Sequence, residues 1–550
     1  MRAPPASARR PGVVYTPAAV TAPMVARALD PLAAGRPLAE IFALRVCDPA
    51  LGEGAFLLAA IERLADHAVA AGLPRAAARA QIAQRCVFGV DVEPAALAAA
   101  RAAILTATGV APPAAHLVVG DALALAWPET FGAPFDVVVG NPPYVRQELL
   151  AAVKPALRGY DVYAGGADLY AYFIELVHRI ARPGGRWCLV VPNKWLTAAY
   201  ARPLRAFLER AGSVEGIVDF ADAPRMFEGA DAFPAIVWGQ VGSPGSRPIF
   251  AARTAAPVAE ALAPAAPLVP HARARFTAEP WHIDTAADAA TLAALAARWP
   301  PLSALLTAPP ARGVVTGCNR AFVVDAPTRA RLVTEEPTAA LFLRPLVRGR
   351  DLRRFTAAPS ARYLLAIPHG TPFASLPAGI RAHLEAFRAE LAPRPPDHTG
   401  SWPGRKPGSY AWHELQDPLG PLLTSTAPRL LYQDIQTQPA CALDATGALA
   451  PDTTVWMLPT ADRVLLAILN SALYGWYARR RFPPALGGAV RPKRAYLLAL
   501  PIAQPAPPQR AHIEALVEAQ LGAPTAARDA ELDAEVLAAY ALPATALRPR

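Results

Sequence analysis

The sequence predicts an α/β fold: a doubly wound, mostly parallel sheet of seven strands, followed by an α+β domain. Three observations predict it. At 550 residues the chain is longer than one hydrophobic core usually serves, so two or more domains are expected. From residue 41 to about 240, short apolar runs alternate with Ala- and Leu-rich stretches at helical spacing, the pattern of βα units around a parallel sheet. Near 241–300 the pattern loosens into Gly, Ser, Pro and Ala, and from Pro301 onward come short mixed stretches with frequent Pro and Trp.

The apolar runs place strands at Leu44 to Cys47, Val87 to Val90, Leu117 to Val119, Val137 to Val139, Trp187 to Val191, Gly216 to Phe220 and Ala235 to Trp238. Between them, Ala55 to Ala70 and Tyr170 to Ile180 carry apolar residues at helical spacing. The expected organisation is a catalytic domain over 1–245, a linker with a helical connection over 246–300 and a second domain over 301–508. A helical tail over 509–550 follows, opening with an amphipathic helix from Gln509 to Leu521. The hinge is placed in 241–248, and Tyr474, Trp476 and Tyr477 are assigned to the core because they follow a helical apolar pattern.

Composition narrows the function. The five cysteines are odd in number, far apart and never spaced as C-x-x-C, so no disulfide framework or zinc ribbon is expected and a reducing cytoplasm fits. No metal site is expected either. The N-terminal stretch lacks the apolar segment of a secretion signal, and no run of 18 apolar residues occurs, which argues against a membrane span. The net charge of +10 is concentrated: residues 301–500 hold 23 basic and 13 acidic groups, against 27 and 25 in residues 1–300. A cationic segment inside a nearly neutral protein points to a polyanionic partner.

The chemistry sits at the ends of the first four strands. The first runs into Asp48-Pro49-Ala50-Leu51-Gly52-Glu53-Gly54, where glycines let the backbone turn sharply toward a ligand. This turn lacks the G-x-G-x-x-G form that wraps a pyrophosphate, so a nucleoside without a diphosphate suits it. Asp91 ends the second strand, where a carboxylate can accept both ribose hydroxyl protons, and Asp121 follows the third, in reach of an adenine amino group. The fourth ends in Asn141-Pro142-Pro143-Tyr144. Consecutive prolines fix the backbone and remove two donors, so the Pro142 carbonyl and the Asn141 side-chain oxygen form a pair of acceptors for an exocyclic amine. Tyr144 can stack on the base that carries it.

These residues, in this order after Tyr15-Thr16-Pro17, resemble the S-adenosylmethionine-dependent amino-methyltransferases of DNA with the gamma order of motifs, found in restriction-modification systems. Ala167 to Phe173, Arg182 to Gly185 and Val191 to Leu196 extend the resemblance over most of the chain. It implies that Thr16, Asp48 and the turn through Ala50, Gly52 and Gly54 hold the methionine end of S-adenosyl-L-methionine, with Asp91 on its ribose and Asp121 on its adenine. A second aromatic against the flipped base falls to Phe227, Phe233 or Trp238, of which Phe233 is chosen. Gly313 to Phe322 and Leu346 to Leu352 are similar to the target-recognition domain of that family. Arg348, Arg350, Arg353, Arg354, Arg491 and Lys493, with Arg479 to Arg481, are assigned to phosphate contacts that set register on double-stranded DNA.

The resemblance implies site-specific methylation of adenine N6, with the base flipped out of the duplex. Cytosine C5 methylation requires a cysteine nucleophile, usually after proline, and no Pro-Cys dipeptide occurs. A serine in place of Asn141 is the commoner choice for cytosine N4. No acid stands two residues before any of the four lysines, so cleavage is assigned to a separately encoded restriction endonuclease. The alternatives are methylation of a protein glutamine, whose carboxamide nitrogen Asn-Pro-Pro-Tyr also fits, and an inactive sequence-specific DNA-binding module.

Overall fold

The computed structural model describes residues 16–145, 147–150, 154–221, 223, 233–242, 245, 247–485 and 488–547. Tyr15, Phe227 and part of the 241–248 hinge lie outside the described residues. The chain divides into two compact units, Met1–Thr285 and Ala286–Arg550.

Among the described residues the first unit is built on nine strands: β1 (Val46–Asp48), β2 (Val87–Asp91), β3 (Leu117–Val119), β4 (Phe135–Gly140), β5 (Ala181–Pro192), β6 (Val214–Asp219), β7 (Pro234–Gln240), β8 (Ile249–Arg253) and β9 (Val269–His271). Their order in the sheet is β3-β2-β1-β4-β5-β7-β6-β8-β9. Strands β1 to β5 pair in parallel, whereas β7 runs antiparallel between β5 and β6. The seven strands expected from the sequence are all present, and the helices Ala55–Ala70 and Tyr170–Ile180 have the expected bounds.

Alternation along the strands sorts the two faces. Cys47, Phe88, Val90 and Val138 pack with the helix Tyr170–Ile180, while Val46, Val87, Val137 and Val139 pack with the helices Ala18–Ala33 and Ala55–Ala70. Successive side chains of a strand point to opposite faces, so this sheet is covered on both sides.

Two boundaries differ from the sequence-based expectation. The stretch 246–300 is no simple linker: β8 pairs in parallel with β6, and β9 closes the edge, carrying the sheet to residue 271. The first unit then runs to Thr285, while the helix Ala286–Arg298 belongs to the second. Residues 509–550 are no appendage either. The helices Pro507–Gly522 and Ala526–Ala539 bury Ile513, Val517, Leu532 and Val536 in the same core as Trp476 and Tyr477.

Among its described residues the second unit holds two four-stranded sheets. One is β10 (Ala311–Arg312), β17 (Val455–Leu458), β14 (Arg429–Gln433) and β15 (Cys441–Asp444); the other is β11 (Val323–Asp325), β13 (Arg362–Leu365), β12 (Leu343–Val347) and β16 (Ala450–Pro451). Strand β14 serves both of its cores, with Leu430 and Tyr432 in one and Leu431 in the other. Tyr474, Trp476 and Tyr477 are buried, as their spacing predicts. Among the described residues no helix is long and apolar enough to cross a membrane.

Candidate active site

Strand order reverses between β1 and β4, and there the carboxyl ends of parallel strands leave a crevice for a ligand. Asp48 and Gly140 line it from either side. A Cβ on Gly140 would lie 2.8 Å from Asp48 Oδ1, so a side chain there would push the Asp48 carboxylate out of its place. Asp48 is 1% exposed, and its Oδ1 accepts the Ala50 N–H at 3.0 Å. Burial pushes its carboxyl up to about 7, with the Ala50 amide opposing the rise and Asp91 adding to it.

The turn after β1 depends on two glycines in left-handed conformation. Gly54, at φ +84°, starts the helix Ala55–Ala70, and a Cβ there would stand 2.9 Å from that of Ala100. Gly52, at φ +51°, has nothing within 4 Å of where its Cβ would be, which leaves room for a ligand against the backbone. Asp91 ties this turn to the second strand: its Oδ2 accepts the Gly52 N–H at 2.8 Å and its Oδ1 the Glu93 N–H at 2.9 Å. A carboxylate has about four acceptor sites, so Asp91 retains capacity for two hydroxyls. Asp121 is exposed, its Oδ1 accepting the Leu123 N–H at 3.0 Å.

Asn141 follows β4 directly. Its Nδ2 donates to the hydroxyl of the buried Thr16 at 3.0 Å, while its Oδ1 is buried and among the described residues has no hydrogen-bond partner. Most buried polar atoms are paired, and an exception calls for a reason. The loop beyond is braced by the Ala167 to Phe173 stretch: Asp168 Oδ1 accepts the Gln147 N–H at 3.1 Å, and the Leu169 N–H reaches the Val145 carbonyl at 3.0 Å. Tyr144 is partly buried, and burial pushes its phenol upward.

Phe233 precedes β7, and its carbonyl accepts the Asn193 N–H at 2.7 Å. Because β7 lies beside β5 and β5 beside β4, Phe233 stands at the same end of the sheet as Asn141, two strands across and further out along the strand direction. Trp238 does not qualify as the second aromatic. It is buried within the sheet, where a Cβ on Gly216 would overlap its ring and Arg27 lies 4.7 Å over it.

Residues 85–227 match the Eco57I restriction-modification methylase family, and residues 344–502 match the TaqI-like C-terminal specificity domain. The chain joins these two domains. The methylase match spans the site from β2 through the Asn-Pro-Pro-Tyr loop, and the specificity match falls inside the second unit. The chain is 28% identical to the Type II methyltransferase M.XhoI of Xanthomonas vasicola, over 86% of its own length and 89% of that protein. It is also 28% identical to the Type II methyltransferase M.PaeR7I of Pseudomonas aeruginosa, over 66% and 63% respectively. In fold it is similar to the Type IIL restriction-modification enzyme MmeI, solved in complex with DNA, with a TM-score of 0.63 at 16% identity, over 95% of this chain and 73% of that one.

In the specificity domain the cations assigned to phosphate contacts divide. Arg350, Arg353 and Lys493 are exposed. Arg354 is turned to a structural use, its guanidinium 3.5 Å from Asp529 and 3.9 Å from Asp533 on the C-terminal helix. Arg491 pairs with Asp434 at 2.7 Å, and Arg348 stands 3.9 Å from Asp452. Arg480 is buried against Asp288 at 3.0 Å, so it too serves the core. No local spacing signals such pairs, because their members lie far apart in the chain.

Proposed function

We propose that the protein is a site-specific DNA methyltransferase of a restriction-modification system, which transfers a methyl group from S-adenosylmethionine to the N6 amino group of adenine in duplex DNA. The observation that carries this reading is the Asn141 side-chain oxygen, a buried acceptor with no partner among the described residues, at the switch point of the sheet. Together with the neighbouring Pro142 carbonyl it suits both hydrogens of an exocyclic amine, turning the nitrogen lone pair out of the ring. An amine inside a duplex is out of reach, so the base must leave the stack, with Tyr144 and Phe233 as the aromatic surfaces for it.

The residues present fit the cofactor. The open space over Gly52, the spare acceptor capacity of Asp91 and the buried Asp48 carboxyl suit a ligand with two hydroxyls and a cationic end. When bound, S-adenosylmethionine supplies an already activated methyl group. The chain's part is then alignment: it presents the amine, excludes water and fixes the approach. A separately encoded endonuclease is the expected partner.

The test is transfer of labelled methyl from the cofactor to duplex DNA, with the modified nucleoside identified after digestion. N6-methyl-2′-deoxyadenosine supports the reading, whereas label in cytosine, in protein or nowhere would overturn it.

Two further outcomes are expected. Thr16 orients the Asn141 amide, so Thr16→Val should lower kcat roughly tenfold, the worth of about one hydrogen bond, with cofactor Kd nearly unchanged and rescue by Thr16→Ser. A rise in Kd with kcat unchanged would assign Thr16 to the cofactor instead. Asp48 should make the unliganded protein pH-sensitive. Its raised carboxyl contributes stability that is complete below its unfolded value near 4 and lost as pH rises through about 7. Cofactor, by pairing with the ionised form, should reverse that loss. Melting curves from pH 4 to 8 would show it, and an unchanged slope in Asp48→Asn would refute it.

A further inference from the structure

The specificity domain contains a concave pocket of about 630 Å³. Two turns from distant parts of the sequence contribute Arg350 and Ile435 to its lining. The first is the turn Gly349–Asp351. The Arg348 N–H donates to the Asp351 carboxylate at 2.9 Å, the Gly349 N–H to Thr454 Oγ1 at 2.7 Å, and the Gly349 carbonyl accepts Gln433 Nε2 at 2.5 Å. The second follows β14. The Asp434 N–H donates to the Thr454 carbonyl at 2.8 Å, and Gln436 exchanges both backbone hydrogen bonds with Val490. Thr454 therefore ties both turns into one frame.

This frame holds its backbone tightly and leaves two side chains outward. Asp434 and Gln436 are 8% and 2% exposed, while Ile435 between them is 49% exposed. Arg350 is exposed, and among the described residues its guanidinium has no acidic partner, unlike those of Arg348, Arg354 and Arg491 nearby in the fold or sequence. A phosphate contact needs only a charge, and a mobile one serves. A planar donor fork and a bare branched alkyl group on fixed turns of one concavity instead match base edges in a major groove. Arg is bidentate to guanine O6 and N7, and an apolar group packs on the thymine methyl.

We infer that Arg350 and Ile435 determine specificity: Arg350 reads a guanine and Ile435 a thymine methyl of the target sequence. This replaces the phosphate role assigned to Arg350 from sequence, and it rests on the DNA-methylating function proposed above.

The experiment is methylation of a randomised duplex library by the full-length protein, read by sequencing sensitive to modified bases. Arg350→Ala is expected to relax one guanine position, discrimination there falling roughly 5- to 150-fold, and Arg350→Lys to relax it as well despite keeping the charge. Replacing thymine by uracil in the recognition sequence should slow the wild type but not Ile435→Ala. An unchanged motif with uniformly slower methylation and a salt slope reduced by about one would show a phosphate contact and overturn the inference. A wild type that marks no DNA would instead defeat the functional reading, and this one with it.

Discussion

Asn141→Ala is expected to reduce methyl transfer by roughly 10²- to 10³-fold or more, the scale on which single preorganised polar groups act in a transition state. Fold, cofactor affinity and DNA affinity should persist. Among the described residues Asn141 Oδ1 is buried without a partner, which for such an atom costs about 1–3 kcal/mol, while Nδ2 returns about one hydrogen bond through Thr16. Truncation removes both, so the melting temperature should stay nearly constant or rise slightly. A loss of activity without a loss of stability is the mark of a group kept for chemistry. Single-turnover transfer from labelled cofactor, beside equilibrium binding of cofactor and duplex, separates the outcomes. Equal loss of transfer and DNA binding would count against the assigned role, as would transfer that survives.

The methylase half was largely legible because its information is local. Strand ends at Asp48, Asp91 and Asn141 are written as apolar runs stopped by a polar residue, and the helices Ala55–Ala70 and Tyr170–Ile180 as uninterrupted periodicity. Strands β8 and β9 were not legible. Ile249–Arg253 alternates burial with two alanines among its five residues, and Val269–His271 has three residues with a proline, tolerable because this is the edge strand. The pairing of Asn141 with Thr16 spans 125 residues and follows no spacing rule. In the second unit, strands of two to five residues fall below the length at which periodicity separates strand from loop. Its arginines look alike in sequence, and only the fold divides Arg354 and Arg480, held by carboxylates, from Arg350.

The largest effect on stability should come from Arg429, at the start of β14. Arg429 and Asp444 are each about 2% exposed and pair at 3.1 Å across β14 and β15, with further guanidinium hydrogen bonds to the carbonyls of Leu422, Gly447 and Leu449. Burial lowers the Arg429 pKa and Asp444 opposes the shift, as expected where desolvation has been offset by a partner. Arg429→Ala strips Asp444 of that partner and orphans the carbonyls, a loss of about 3–5 kcal/mol. For a unit of this size that is a fall in melting temperature of roughly 6–20 °C. Replacing both charges, as in Arg429→Met with Asp444→Leu, should recover part of the loss, because an unpaired buried charge costs more than the pair contributes. Calorimetry of the single and double variants checks this. A double variant no more stable than Arg429→Ala would place the cost in the lost carbonyl contacts rather than in the stranded carboxylate.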